Sequence, residues 1–363
     1  GDTMKKYSRL LIISIIIITL FGALMIYSAS SVWAEYKFND QYKYLKSQLI
    51  FLVLGYLIMI LISKFPYQNY KKLSNIIFLV TTSLLVLVLI PGIGTVRNGS
   101  RSWFGLGGFG IQPSEFTKLS LIIFTAKYLE NNERDLKSIK KGVLPILGVL
   151  LLVFALIMLE PDFGTGVVIV MTIVVLLFVS GVNLNFFVKI GILGLIGVVV
   201  LIIIAPYRTQ RIISFLNPWS DPLGSGFQII QSLYAIGPGG LLGLGLGNSI
   251  QKHFYLPEPQ TDFIFSIISE EFGFLGILIV AVLFLTIITT GFKIATKCED
   301  KFGKYLAFGI TFSLAFQAML NLMVVVGLIP VTGVTLPFLS YGGSSLLISL
   351  TSIGILLNIN KYN

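Results

Sequence analysis

Apolar runs of about 17–25 residues recur along this chain, separated by short polar connections. A helix of that length crosses a bilayer core of about 30 Å. The pattern predicts ten membrane-spanning helices, over residues 10–29, 47–63, 73–90, 114–130, 143–159, 164–180, 186–205, 263–291, 304–329 and 338–359. The expected fold is therefore all-α, a polytopic bundle forming one membrane domain over residues 4–363. A large outer loop, residues 206–262, separates the seventh and eighth helices. Gly1-Asp2-Thr3 ahead of Met4 reads as an expression scar. The stretch from Leu10 to Tyr27 is too long, and too continuous with the later spans, for a cleaved signal peptide.

Charge orients the bundle. Lys5, Lys6 and Arg9 precede the first span, and Lys64, Lys71 and Lys72 follow the second. Arg134, Lys137, Lys140 and Lys141 follow the fourth, and Lys293, Lys297, Lys301 and Lys304 flank the connection from eighth to ninth. All fall on one side when both termini are cytoplasmic, as the bias of basic residues toward that side requires. The opposite connections carry fewer, among them Lys37, Arg97, Arg101, Arg208, Arg211 and Lys252.

Composition supports this picture and narrows the function. Hydrophobic residues make up 55% of the chain and charged residues 12%, against about 25% charged in a soluble domain; the mean hydropathy is +0.91. The net charge of +10 lies in short loops rather than in a basic stripe with interleaved aromatics, which excludes nucleic-acid binding. Cys298 and His253, each the only residue of its type, fall on opposite faces, so no soft-metal cluster forms. No Ser-His-Asp set, phosphate-binding loop, nucleotide fingerprint or internal repeat is present.

Two outer loops stand apart. Residues 91–112 are rich in glycine and hold Arg97, Arg101 and Trp103; residues 206–261 hold Trp219, Phe227, Tyr234 and Phe254 and a glycine run from Gly237 to Gly247. Loops of that length in a compact protein are usually functional or disordered, and the aromatic content argues for order. Asp262 follows Thr261, a candidate N-cap, which places its carboxylate in the first turn of the eighth span. Ser266, Ser269, Glu270 and Gly273 share its helix face, a polar stripe that should point to the protein interior or a wet cavity. Asp262 is either a helix cap or a catalytic carboxylate.

Further ionisable residues each have two readings. Glu115 and Lys118, three apart, are a structural ion pair or a phosphate-orienting site. Asp162, in the short Glu160-Pro161-Asp162 turn, caps the sixth span or lines a site. Arg208 and Arg211 lie one helical turn apart on the side that disfavours positive charge; they bind phosphate oxygens or else snorkel and pair with Asp221 or Glu258. Arg101 has the same two readings. Gln317 and Asn321 read as interhelical hydrogen-bond glue, and Ser344 and Ser345 as cavity lining or close-packing residues.

RSWFGLGGFGIQPSEFTKLS, EPDFGTG, the stretch from Pro206 to Gly247, LPEPQTDFIFSIISEEFGFLG and LPFLSYGGSS occur in this order. Together they resemble the SEDS family of cell-wall glycosyltransferases over nearly the whole chain. PEPQTDFIF and NPWSDP are more similar to its FtsW/SpoVE division and sporulation branch than to RodA. The resemblance implies the SEDS fold, which is GT-C-like, and polymerisation of lipid II into β-1,4-linked glycan at the outer face of the bacterial cytoplasmic membrane. It implies Asp262 as the essential residue. Arg101, Gln112, Glu115, Lys118, Asp162, Arg208, Arg211 and Ser344 complete the expected substrate-binding set. The implied partners are a class B penicillin-binding protein transpeptidase and divisome or sporulation proteins. No protein metal site is expected; a divalent cation (Mg or Mn) held by Asp262 and phosphate oxygens is compatible. Two other functions fit parts of the pattern. A flippase or transporter would place charge near the bilayer midplane, often beside broken helices. A non-catalytic scaffold would tolerate replacement of Asp262.

Overall fold

The structure, a computed structural model, describes residues 2–97, 100–106, 109–220, 222–223, 226–253, 256 and 259–363, without the side chains of Arg97, Ser100, Arg101, Ser102, Leu106, Phe109, Arg211, Ser214 and Ser220. Among the described residues ten long helices match the ten predicted spans. They are α1 (Asp2–Phe38), α2 (Lys43–Lys64), α3 (Asn69–Val88), α4 (Pro113–Asn131), α5 (Leu144–Leu159), α6 (Phe163–Val179), α7 (Leu184–Ile204), α10 (Ile264–Lys297), α11 (Lys301–Val325) and α12 (Gly343–Lys361). Eight are long and apolar enough to cross a membrane when α5 is taken with the wide turn preceding it; α6 is shorter, and α4 carries buried charge. Helices are required here because backbone groups facing lipid must be satisfied within their own segment. α7 shows that environment: only Phe186 is buried, while its leucines and isoleucines face outward.

The core lies where α1, α4, α10, α11 and α12 meet. Two short helices, α8 (Pro206–Leu216) and α9 (Phe227–Ile236), give the large loop its order. The all-α bundle carries one small sheet. Three short strands, β1 (Thr95–Arg97), β2 (Ser100–Leu106) and β3 (Phe109–Ile111), form an antiparallel sheet in the order β1-β2-β3. The hydroxyl of Thr95 donates to Trp103 O at 3.1 Å across it.

Two departures from simple spans shape the site. The predicted ninth and tenth helices stop short of one another, leaving residues 326–342 non-helical, with Leu336, Phe338 and Leu339 buried. Irregular backbone survives in a membrane bundle only where protein satisfies it. Here Ser340 Oγ accepts from Leu336 N at 2.8 Å, and side chains of α11 supply further bonds.

α10 is also discontinuous, which the sequence reading did not anticipate. Gly273 has φ 63° and ψ −146°. The carbonyls of Glu270 and Glu271 accept instead from Leu244 N (2.8 Å) and Gly245 N (2.7 Å). Phe274 N and Leu275 N donate to Gly240 O (2.8 Å) and Leu241 O (3.1 Å). The glycine run of the large loop thus wraps the break and takes up its freed groups. A Cβ at Gly239 would lie 2.2 Å from Ser269 O, so that approach requires glycine.

Candidate functional site

Asp262 does not occupy the first turn of a helix. α10 begins at Ile264, its N-cap position is Phe263, and no side chain caps it. A pair of tertiary bonds pins the turn that approaches the helix. Asn321 Nδ2 of α11 donates to Asp262 O at 2.7 Å. Tyr341 N, just before α12, donates to Gln260 O at 2.8 Å. The Thr261 cap is therefore corrected, whereas the polar stripe below it holds: Ser266, Ser269 and Glu270 are all buried. Ser266 Oγ meets Ser232 Oγ of α9 at 2.5 Å, so this stripe docks the large loop.

From Asp262 a chain of hydrogen bonds runs through the protein. Asn321 Nδ2 also donates to Val334 O at 2.9 Å. At the next residue, Gln317 Nε2 donates to Thr335 O (3.1 Å) and Thr335 Oγ1 (3.3 Å). Gln317 Oε1 accepts from Lys118 Nζ at 2.8 Å, and Lys118 Nζ also binds Glu115 Oε2 at 2.8 Å. Gln317 and Asn321 are more than glue between helices, since both hold the irregular 326–342 segment.

Glu115 and Lys118 pair as their spacing implies, and both are buried. Such a pair persists only when further hydrogen bonds compensate desolvation, and Gln317 supplies one. At the head of α4, Gln112 N donates to Ser344 Oγ at 2.9 Å and Gln112 Nε2 to Asp162 Oδ2 at 2.9 Å. Asp162 Oδ1 caps α6 by accepting from Thr165 N at 3.4 Å, as the capping reading expects. Burial pushes the Asp162 carboxyl above its ordinary range, against the Thr165 hydrogen bonds. The start of α6 is pressed onto the same irregular segment: a Cβ at Gly164 would lie 2.5 Å from Thr332 O.

Arg208 reaches this rim. Its guanidinium lies 5.7 Å from the ring centre of Phe163, the neighbour of Asp162. It donates to Leu201 O at 2.9 Å through Nη1 and to Tyr207 OH at 3.0 Å through Nε. The guanidinium thus closes the end of α7. Its expected alternative partners, Asp221 and Glu258, lie outside the described residues, as do the side chains of Arg101 and Arg211.

The structure links the Asp262 main chain to Lys118 and Glu115 through Asn321 and Gln317, and separately joins Gln112, Ser344 and Asp162 at the head of α4, with Arg208 against Phe163. Sequence reasoning gave no role to Glu160, which is 2% exposed with neither carboxylate oxygen hydrogen-bonded to protein. Burial first, and then the charge of Asp162, pushes its carboxyl up to about 9. A small cavity of ≈ 10 Å³ between α4, α11 and α12 is lined by Lys118 and by apolar and serine side chains. It does not touch Asp262 and is packing space under the ion pair rather than a reaction chamber.

Residues 8–363 match the family model FTSW_RODA_SPOVE, described as cell cycle protein. The chain is 52% identical over 364 residues to stage V sporulation protein E of Bacillus subtilis (strain 168), covering 99% of each. It is 42% identical over 357 residues to a probable peptidoglycan glycosyltransferase FtsW of Geobacter sp. (strain M18), covering 98% of this chain and 97% of that one. Among solved structures, a chain reported under "Structural coordination of polymerization and crosslinking by a peptidoglycan synthase complex" superposes with TM-score 0.80 at 32% identity, covering 97% of both. The rod shape determining protein RodA of Thermus thermophilus superposes with TM-score 0.72 at 28% identity, covering 97% of this chain and 95% of that one.

Proposed function

Because this chain belongs to the FtsW, RodA and SpoVE family of cell cycle proteins, we propose that it is a peptidoglycan glycosyltransferase that polymerises lipid II at the outer face of the cytoplasmic membrane. The observation that carries this reading is Asp262. It is a partly exposed carboxylate, fixed through its backbone to α11, at the head of a buried polar network. In the proposed reaction the 4-hydroxyl of the acceptor sugar attacks C1 of the donor. Its proton passes to the Asp262 carboxylate as the new C1–O bond forms on the face opposite the pyrophosphate. The old C1–O bond breaks with its electron pair, the pyrophosphate leaves, and the α linkage becomes β.

Arg208, with Arg101 and Arg211, would balance the charge that develops on the leaving group. Gln112, Asp162, Ser344 and the Glu115–Lys118 pair would hold the sugar and phosphate side of the site in register. A divalent cation, Mg or Mn, fits only as a guest of pyrophosphate. Among the described residues no group of three His, Cys, Asp or Glu converges, so Asp262 would hold it together with phosphate oxygens. The broken α10 does not favour a transporter. Four of its freed backbone groups are taken by the glycine loop, whereas a transport site would leave them for its ligand.

The likeness to a chain from a peptidoglycan synthase complex supports a class B penicillin-binding protein as partner. The test compares wild-type and Asp262→Asn protein in lipid II polymerisation with such a transpeptidase supplied to both. Loss of a general base lowers the rate by about 10²–10⁴-fold, with lipid II binding kept. Near-normal polymerisation by the variant would overturn the assignment.

A further inference from the structure

Two adjacent carboxylates of α10 are buried outside the network described above. Glu270 is 1% exposed and Glu271 0%. Consecutive helical residues diverge by about 100°, and these two grip different things. Glu270 Oε1 accepts from the backbone N–H of Ile250 and from Gln251 N, the latter at 3.3 Å. Glu271 Oε1 accepts from Ser28 Oγ of α1 at 2.6 Å and lies 3.6 Å from Lys252 Nζ. Lys252 Nζ also reaches Ser28 Oγ at 3.5 Å. Lys252 belongs to the large loop, yet it is buried; its ammonium is turned inward. A buried pair adds little to stability beyond what apolar residues would give, so fixing one arrangement is the better account of it.

The same two glutamates hold the loop through their main-chain carbonyls, bonded to Leu244 and Gly245. The segment leading to Asp262 is thus anchored at Ile250–Lys252 by α10 and α1, and at Gln260 and Asp262 by Tyr341 and Asn321. We propose that Glu270, Glu271 and Lys252 form a latch that fixes the loop on α10 and so holds Asp262 in register with the acceptor hydroxyl. They are positioning residues; none touches the reacting atoms. The catalytic part of this proposal rests on Asp262 being the base.

The experiment uses the full chain with its transpeptidase and lipid II. Glu271→Gln keeps the size and an acceptor for Ser28 but leaves Lys252 without a counter-charge. A displacement of about 1 Å costs on the order of 10²-fold in rate, so kcat falls to that extent while KM for lipid II holds. Exchanging the charges, Lys252→Glu with Glu271→Lys, restores kcat. Hydrogen exchange of a peptide spanning residues 260–263 gives a readout independent of catalysis. It rises in Glu271→Gln and returns to the wild-type level in the exchanged pair. Should Glu271→Gln fail to fold, Glu270→Gln, which still accepts from Ile250 and Gln251, keeps exchange low, and Glu270→Ala raises it.

Unchanged exchange in Glu271→Gln, or equal exchange in the two Glu270 variants, overturns the latch. So does an exchanged pair that recovers thermal stability without recovering kcat. Asp262→Asn is assayed alongside. If it stays active, the general-base reading fails, and the exchange measurement still decides the latch.

Discussion

Lys118 is held by one carboxylate and one amide, and that arrangement sets what its neighbours tolerate. Glu115→Gln leaves a buried ammonium without its counter-charge and should destabilise the protein by about 3–5 kcal/mol, seen as a lower Tm. Replacing both residues by neutral ones should recover stability. A stable but inactive double variant would assign the pair to substrate. Glu160 responds to pH instead. Its folded carboxyl is raised to about 9 from an ordinary 4.5, so the folded state keeps a proton that the unfolded chain releases. Its contribution is whole below pH 4.5 and is lost as pH rises toward 9, by on the order of 1 kcal/mol per pH unit at most. Glu160→Gln should therefore raise Tm at pH 8 and change it far less at pH 5; equal shifts at both would show that Glu160 does not hold its proton. The pairing of Glu115 with Lys118 and the capping by Asp162 were legible in the sequence because both span only three residues. The hydrogen bond from Asn321 to the Asp262 carbonyl was not, because no local pattern reports a partner so far along the chain.

At the scale of elements, eight of the ten long helices follow from apolar length alone, and the helix ends do not. α1 runs to Phe38, beyond its apolar run, and α11 stops at Val325 where side chains begin to satisfy an irregular segment. The break in α10 depends on a glycine in a backbone region that other residues rarely enter, and on a loop long enough to fold over it. Gly273→Ala should cost at least about 1–3 kcal/mol of strain, since its Cβ would also lie 2.5 Å from Gly240 O and Gly243 N. Gly148→Ala in α5, with open space at its Cβ, should be neutral or stabilising by about 0.5–1 kcal/mol. Thermal unfolding of the two variants side by side checks the pair. Similar shifts would remove the special status of Gly273.

For the whole molecule, the lysine distribution predicts cytoplasmic termini. Cys298 is a poor reporter because it is buried beside Tyr67; protection from a thiol reagent would reflect burial as much as sidedness. In a Cys298→Ser background, an impermeant reagent applied to intact cells should label a cysteine replacing exposed Asn248 and spare one replacing exposed Glu299. The reverse labelling would invert the topology. By itself the sequence determined the membrane class, the long helices and the family, and it predicts the orientation, because each rests on hydropathy, charge asymmetry or ordered motifs that can be read along the chain. Only the tertiary structure decided that Asp262 stands ahead of its helix, that glycines of the large loop close the break at Gly273, and that Lys252 is turned inward to Glu271. Those outcomes are set by which buried polar groups find partners across distant segments, and burying such a group without a partner costs more than local propensity can offset.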